Sequence, residues 1–224
     1  MTKRQMLLGF AAMSLSLASV MTARADMFTD DAQNPVGDPI TINILNWGSA
    51  FGSASTNYGD VLAGLFQIDS QQQGTNLAAC VDLQNFISFG NNNNYTYQVW
   101  YAYGRAGALA ALYNSINWNN ADQAVGFQLA LWELVYDSYN NPSNDNLFGG
   151  NFIVNSSNPA GAIAAAQGFL NQIGANKAPY FYLRSVDQNP AQDLILVPYV
   201  PEPASLLALG VGVAGLALRR RRRA

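Results

Sequence analysis

Two residues in this 224-residue chain carry chemistry out of keeping with their surroundings. Cys80, in Ala79-Cys80-Val81-Asp82-Leu83, is the only cysteine, so no intrachain disulfide can form. Its thiol is inert and buried, bonded to another molecule, or reactive. Gln128 sits inside Gly126-Phe127-Gln128-Leu129-Ala130-Leu131-Trp132, a helical run with apolar residues on every side and no polar neighbour beside the amide. A buried carboxamide left unpaired costs ~1–3 kcal/mol. The two residues lie 48 positions apart on different elements. One reaction settles both anomalies: the thiolate attacks the amide carbon, ammonia leaves, and a Cys–Gln thioester closes. The alternative is a buried thiol beside a hydrogen-bonded core glutamine.

Other chemistries are poorly served. The chain has no histidine, which removes His-based triads, His general bases and the usual zinc ligands. Asp60, Asp69, Asp82, Glu133 and Asp137 offer carboxylates for a hydrolase, but no motif selects a pair of them. No cofactor or metal site is expected.

The segments around the two residues resemble the thioester domains of bacterial surface adhesins, known as TQXA domains. In that family a Cys followed by an apolar and an acidic residue pairs with a Gln in a Thr-Gln-x-Ala-Ile-Trp-like helix. Cys80-Val81-Asp82 is similar to the first motif and Gln128-Leu129-Ala130-Leu131-Trp132-Glu133 to the second. The resemblance spans roughly Tyr58 to Tyr139. Phe127 stands where the family prefers Thr, and Ala79 where an aromatic is usual. The resemblance implies a covalent adhesin that uses each molecule once and does not turn over as an enzyme. Cys80 is then the leaving thiolate, and Gln128 the acyl group passed to an amine or hydroxyl on a surface partner. Trp132, one helical turn after Gln128, would roof the bond, unless it is an ordinary core aromatic. Asp82 and Glu133 are candidate proton acceptors, with a solvated carboxylate the favoured alternative for Glu133. Gln128 lies near the start of its helix, whose positive end would favour a thiolate at Cys80.

The elements that must position these residues read as strands, then helices, then strands. Residues 39–48 alternate like a strand, and 57–69 are ambiguous. A strand-like run falls around Ala79 to Leu83, and 95–104 is a strand or the approach to a helix. Helices are expected over 105–116 and 121–139, the second led by Asn119-Asn120 with Asp122 in its first turn. A hairpin is expected over 146–157. A further helix over 159–174 is opened by Pro159 and closed by Gly174. Strands follow at 178–187 and 193–200. The expected fold is α+β: a β-rich single domain over 26–187 with a helical insertion carrying the Gln helix, then a terminal strand and linker over 188–199.

Both ends carry targeting signals. Lys3-Arg4, an apolar stretch from Met6 to Val20 and Ala23-Arg24-Ala25 form a secretory signal peptide over 1–25. At the other end Pro201-Glu202-Pro203 precedes an apolar run, Ala204 to Leu218, and then Arg219, Arg220, Arg221, Arg222 and Arg223. Fifteen helical residues reach only ~22 Å against a hydrocarbon core of ~30 Å, a short and weak span. The arginines would stay on the cytoplasmic side. Residues 200–224 resemble the PEP-CTERM sorting signals that exosortases process in Gram-negative bacteria. The resemblance implies an exported protein held transiently at the inner membrane, then cell-surface or extracellular.

Between Asp26 and Pro201 only Arg105, Lys177 and Arg184 stand against thirteen acids, a net charge of −10. Three scattered cations build no basic patch, which argues against a nucleic-acid partner. A non-covalent matrix protein is the competing class: Tyr95, Tyr97, Trp100, Tyr101 and Tyr103 would stack on exopolysaccharide rings, with Asn91 to Asn94 as hydrogen-bonding partners.

Overall fold

The computed structural model describes residues 32–35, 38–70, 74–89, 94–138, 141–187 and 191–197. The expected signal peptide, the sorting tail, residues 188–190 and 198–199 of the expected terminal strand and linker, and residues 91–93 of the Asn run lie outside them. Among the described residues seven strands form the sheet: β1 (Ala32–Pro35), β2 (Ile40–Thr56), β3 (Gly59–Ser70), β4 (Gly74–Cys80), β5 (Asn94–Gly104), β6 (Ala178–Ser185) and β7 (Leu194–Val197). All pairings are antiparallel, in the order β1-β5-β2-β3-β4-β7-β6, and β5 also pairs with β6. That last pairing closes β5-β2-β3-β4-β7-β6 into a six-stranded barrel. β1 continues the line of β2 along the same edge of β5. Closure removes the free edges through which an open sheet aggregates.

The pairing register sorts the side chains into two faces. Ile40, Ile42, Ile44, Phe66, Ile68, Ala78, Tyr97, Val99, Leu183 and Leu194 share one face and fill the barrel. Ala63, Leu65, Ala79, Ala102, Tyr180, Tyr182 and Ile195 point the other way and are buried too. A sheet buried on both faces needs a second layer outside it. The helices supply that layer as an insertion between β5 and β6.

The insertion holds α1 (Arg105–Ala111), α2 (Ala121–Glu133) and α3 (Ala160–Ile173). The Asn120 side chain caps α2, accepting from the backbone N–H groups of Asp122 at 2.9 Å and Gln123 at 3.3 Å. Asp122 adds a negative charge to the first turn. Every α2 residue from Ala124 to Glu133 is buried, which accounts for apolar residues on all its sides. Gly126 packs directly against α3. A Cβ there would sit 2.6 Å from the Ala165 methyl and 2.8 Å from the Ala162 carbonyl oxygen.

Several expectations need adjustment. β2 runs on to Thr56, and 57–69 is largely strand. The strand-like run at Ala79 to Leu83 stops at Cys80, although the Val81 N–H still bonds the Asp193 carbonyl at 2.9 Å. The helix expected over 105–116 ends at Ala111 in a 3-10 turn, Leu112–Ser115. The helix expected over 121–139 widens into a π-turn at Leu134–Ser138. No hairpin forms over 146–157. The Asp137 carboxylate takes the N–H groups of Asn151 and Phe152, both at 2.6 Å, which holds the segment to the turn after α2, and a single bond from the Val154 N–H to the Leu147 carbonyl at 2.7 Å crosses it without forming a two-strand ladder. Its one ladder contact is Val154 opposite Thr56. Gly150, at φ 105°, makes this turn, and a Cβ there would strike the same carboxylate.

The close α2–α3 approach gives a direct test of what positions the Gln helix. Gly126→Ala gains helix propensity but overpacks the contact, for a net loss of about 1–3 kcal/mol. Urea denaturation should show a lower midpoint, and an unchanged or raised midpoint would contradict the packing.

Candidate functional site

Cys80 is the last residue of β4, where the barrel layer meets α2. Its ladder partner on one side is Leu194 of β7. On the other side β3 pairs with β4 only as far as Leu65 opposite Ala79. The backbone of Cys80 therefore needs another partner, and Gln128 provides it. The Cys80 N–H donates to Gln128 Oε1 at 3.2 Å, and Gln128 Nε2 donates to the Cys80 carbonyl at 2.6 Å. The carboxamide pairs as the missing peptide of a neighbouring strand would. The expectation of a Gln128 amide without a polar neighbour is thus corrected: its partner lies 48 residues away in sequence and adjoins it in space. Gln128 is 1% exposed and Cys80 5%.

The Cys80 thiol donates to the Asp82 carbonyl at 2.8 Å. That carbonyl also accepts from the Gln192 side chain at 3.1 Å. Burial pushes the thiol well above its usual range, and the nearby negative charge of Asp82 pushes the same way. The hydrogen bond to the Asp82 backbone and the Trp132 indole N–H act in the opposite direction and do not overcome it. The expected dipole-stabilised thiolate is therefore corrected. Full burial outweighs a helix-end field whose largest attested effects are ~2 kcal/mol.

The flanking residues take different places. Trp132 is buried in the core and lines the same cavity as Cys80. Its ring packs against Phe152, and its Nε1 has no acceptor in hydrogen-bonding geometry among the described residues. The Asp82 carboxylate is buried and shapes the loop after β4, accepting from the Gln84 N–H at 2.8 Å and from the Asn85 side chain. Glu133 is 0% exposed, which corrects the solvated reading. Its Oε1 accepts from the Asn146 N–H at 2.9 Å, and its Oε2 has no hydrogen-bond partner among the described residues. That bond ties it to the 142–155 segment. Phe127 fills the position where a Thr was noted as usual. It is fully buried, with edge contacts to Trp118 and Phe169, and offers nothing to orient the amide.

Arg105 is the residue that sequence reasoning passed over. It is fully buried at the start of α1. Its guanidinium forms a bidentate pair with Asp145 at 2.8 and 2.6 Å, and also donates to the carbonyls of Ser138 at 2.6 Å and Gly174 at 2.7 Å. Its scarcity was the available signal: it is one of three cations between Asp26 and Pro201.

The aromatic residues of β5 do not form one platform. Tyr97 is a core residue whose hydroxyl donates to the Gln192 carbonyl at 3.0 Å, Tyr101 packs on Phe181, and Trp100 points to the opposite face. Among the described residues no group of His, Cys, Asp and Glu is arranged to hold a metal ion. Also among them, no helix is long and apolar enough to cross a membrane.

Residues 200–222 match the PEP-CTERM protein-sorting motif. The motif marks the chain for exosortase-dependent export to the cell surface. No curated protein and no solved structure matches the chain.

The burial of Glu133 has a pH signature. Desolvation pushes its carboxyl up to about 7 from an ordinary 4.5; the Asn146 N–H and Arg105 oppose this, while Asp137 and Asp145 add to it. The folded state thus holds a proton that the unfolded chain releases. The Glu133 contribution to stability is present below about pH 4.5 and is lost as pH rises through about 7. The melting temperature of the wild type should fall relative to Glu133→Gln across that interval. Parallel profiles would show that Glu133 does not titrate there.

Proposed function

We propose that this exported protein holds an internal thioester between Cys80 and Gln128 and uses it once, to attach itself covalently to a surface partner. The observation carrying this reading is the two-point clamp of the Gln128 carboxamide on the backbone of Cys80 itself. The clamp brings the amide to the only cysteine of the chain. The Cys80 N–H lies on the oxygen that gains negative charge when sulfur adds to the amide carbon, an oxyanion-type contact. The Cys80 carbonyl holds the amide nitrogen, which departs as ammonia and carries off the thiol proton. The product is an acyl–sulfur bond and one ammonia. That bond is uncharged, as a water-poor site requires, whereas a thiolate is strongly disfavoured there.

The stored acyl group then passes to an amine or hydroxyl: the new bond forms at the Gln128 carbonyl carbon, and the sulfur leaves and is protonated. Trp132 and the apolar wall beside it shield the bond from water in the interval. Each molecule is spent in this transfer, so in this reading the protein is a single-use ligand. The TQXA-like motifs support the same reading, although Phe127 and Ala79 depart from them.

Mass and thiol chemistry test this directly. The purified mature protein should be lighter than its sequence by one ammonia, and its thiol should resist alkylation after denaturation. Methylamine should open the ring, add one methylamine and release one thiol. Cys80→Ala and Gln128→Ala should each abolish this behaviour. An unmodified mass with a freely alkylated Cys80 rejects the thioester.

Sorting is proposed to proceed through a transient inner-membrane stage, with the tail held by residues 204–218 and cut near Pro201-Glu202-Pro203. C-terminal mass spectrometry of surface protein should find no Arg219–Arg223 cluster. Recovery of that cluster on the mature protein would refute the cut.

A further inference from the structure

Tyr101 and Tyr103 continue the inward row of Tyr97 and Val99 along β5, toward the barrel end far from Cys80. Tyr97 and Val99 are buried, Tyr101 is half-buried, and Tyr103 is 47% exposed. On β6, Phe181 turns a ring edge to Tyr101 with centroids 5.8 Å apart, and Pro179 pairs with Tyr103. The filled interior thus ends in an aromatic rim open to water. Each tyrosine there sets an apolar ring beside a polar hydroxyl, a composition suited to the boundary between hydrocarbon and water.

Both exits of the described chain lie at this rim. β7 is antiparallel to β6, so Val197 closes it on the side where β6 begins, and β6 begins opposite the end of β5. Two strand spacings, about 10 Å, separate β7 from β5. β1 starts at Ala32, opposite Ala102. Cys80 pairs with Leu194, the first residue of β7, and so lies at the other end. After Val197 only residues 198–203 precede the apolar run 204–218. Six residues span at most ~20 Å. An anchored tail therefore holds this end of the barrel, and not the Cys80 end, near the bilayer. At that range a contact too weak to form from solution becomes intramolecular. Lys177, exposed just before β6, stands beside the rim and suits anionic headgroups. Asp38 and Asp69 open toward the same end, so the aromatic rings and the tether, and not net charge, hold the contact.

We propose that, while the sorting tail is uncut, the rim of Tyr101, Tyr103 and Phe181 rests on the lipid headgroup surface, with the Cys80 end turned away from the membrane. The proposal rests on the inner-membrane stage of sorting given above, and it is independent of the thioester. Cutting the tail removes the tether, and the rim then leaves the lipid.

The uncut protein, reconstituted into vesicles of phosphatidylethanolamine and phosphatidylglycerol, tests the orientation. In a Cys80→Ala background a single bimane label is placed at Asn176→Cys, beside the rim, or at Gln84→Cys, in the loop after β4. Lipids with a nitroxide on the headgroup should quench the label at 176 strongly and the label at 84 hardly at all. Tyr103→Ser should lower the docked-to-undocked ratio ~5–10-fold, the worth of about 50 Å² of apolar contact, and Tyr103→Trp should retain docking. Equal quenching at both positions, stronger quenching at 84, or no effect of Tyr103→Ser would overturn the proposal. So would a label at 176 that is shielded equally without vesicles, which assigns the rim to residues 198–203, or shielding that grows with protein concentration, which assigns it to a second copy. Uncut protein that does not float with the vesicles rejects the membrane stage itself and the proposal with it. Protein that floats with its label at 176 unquenched rejects the rim contact alone.

Discussion

The buried guanidinium of Arg105 is the contact on which the helical layer depends. It joins the start of α1 to the end of the π-turn at Ser138, the end of α3 at Gly174, and Asp145 in the following segment. These are the points where a helical insertion hung on a barrel is most easily lost. Removing one partner of a buried, hydrogen-bonded ion pair costs ~3–5 kcal/mol, because the other charge is left uncompensated. With its end fixed in this way and its middle seated on α3 at Gly126, α2 has one placement against β4. That placement sets Gln128 against Cys80.

The barrel provides the other half of the junction. β3 leaves β4 before its last residue, so the backbone of Cys80 would be unsatisfied at a buried strand end. The Gln128 carboxamide meets that need with one donor and one acceptor. The contact is a structural repair, and in the proposed reading it is also the approach geometry for an acyl transfer. The same burial sets the electrostatics. It raises both the thiol and the Glu133 carboxyl, so the charged forms that ordinary nucleophilic or acid–base catalysis requires are disfavoured. A neutral acyl–sulfur bond has no such penalty.

The sorting signal and the Cys80–Gln128 contact occupy different parts of the chain. The sorting motif at 200–222 is a linear signal, written in residue order. The Cys80–Gln128 site exists only once two segments 48 residues apart have been brought together. The polarity of the domain suits a life outside the cell: a strongly acidic surface stays soluble, and a single buried cysteine escapes disulfide exchange.

The sequence by itself determined what depends on local order. Caps placed α3 and the start of α2, because Asn120, Pro159 and Gly174 act within a turn of themselves, whereas the alternation at 95–104 left β5 open between a strand and the approach to a helix. The sorting motif was legible for the same reason. Composition isolated Cys80 and Gln128 as anomalies. What the tertiary structure decided is everything that arises between distant segments. The Gln128 amide is satisfied by a strand end that no window around it contains. Glu133 reads as a surface carboxylate until the 142–155 segment folds over it, and that segment reads as a hairpin until Asp137 takes its N–H groups. Barrel closure rests on β5 meeting β6 more than seventy residues later. Local propensity has no term for a partner at that distance; burial and hydrogen-bond satisfaction do, and they settle only when the whole chain has packed.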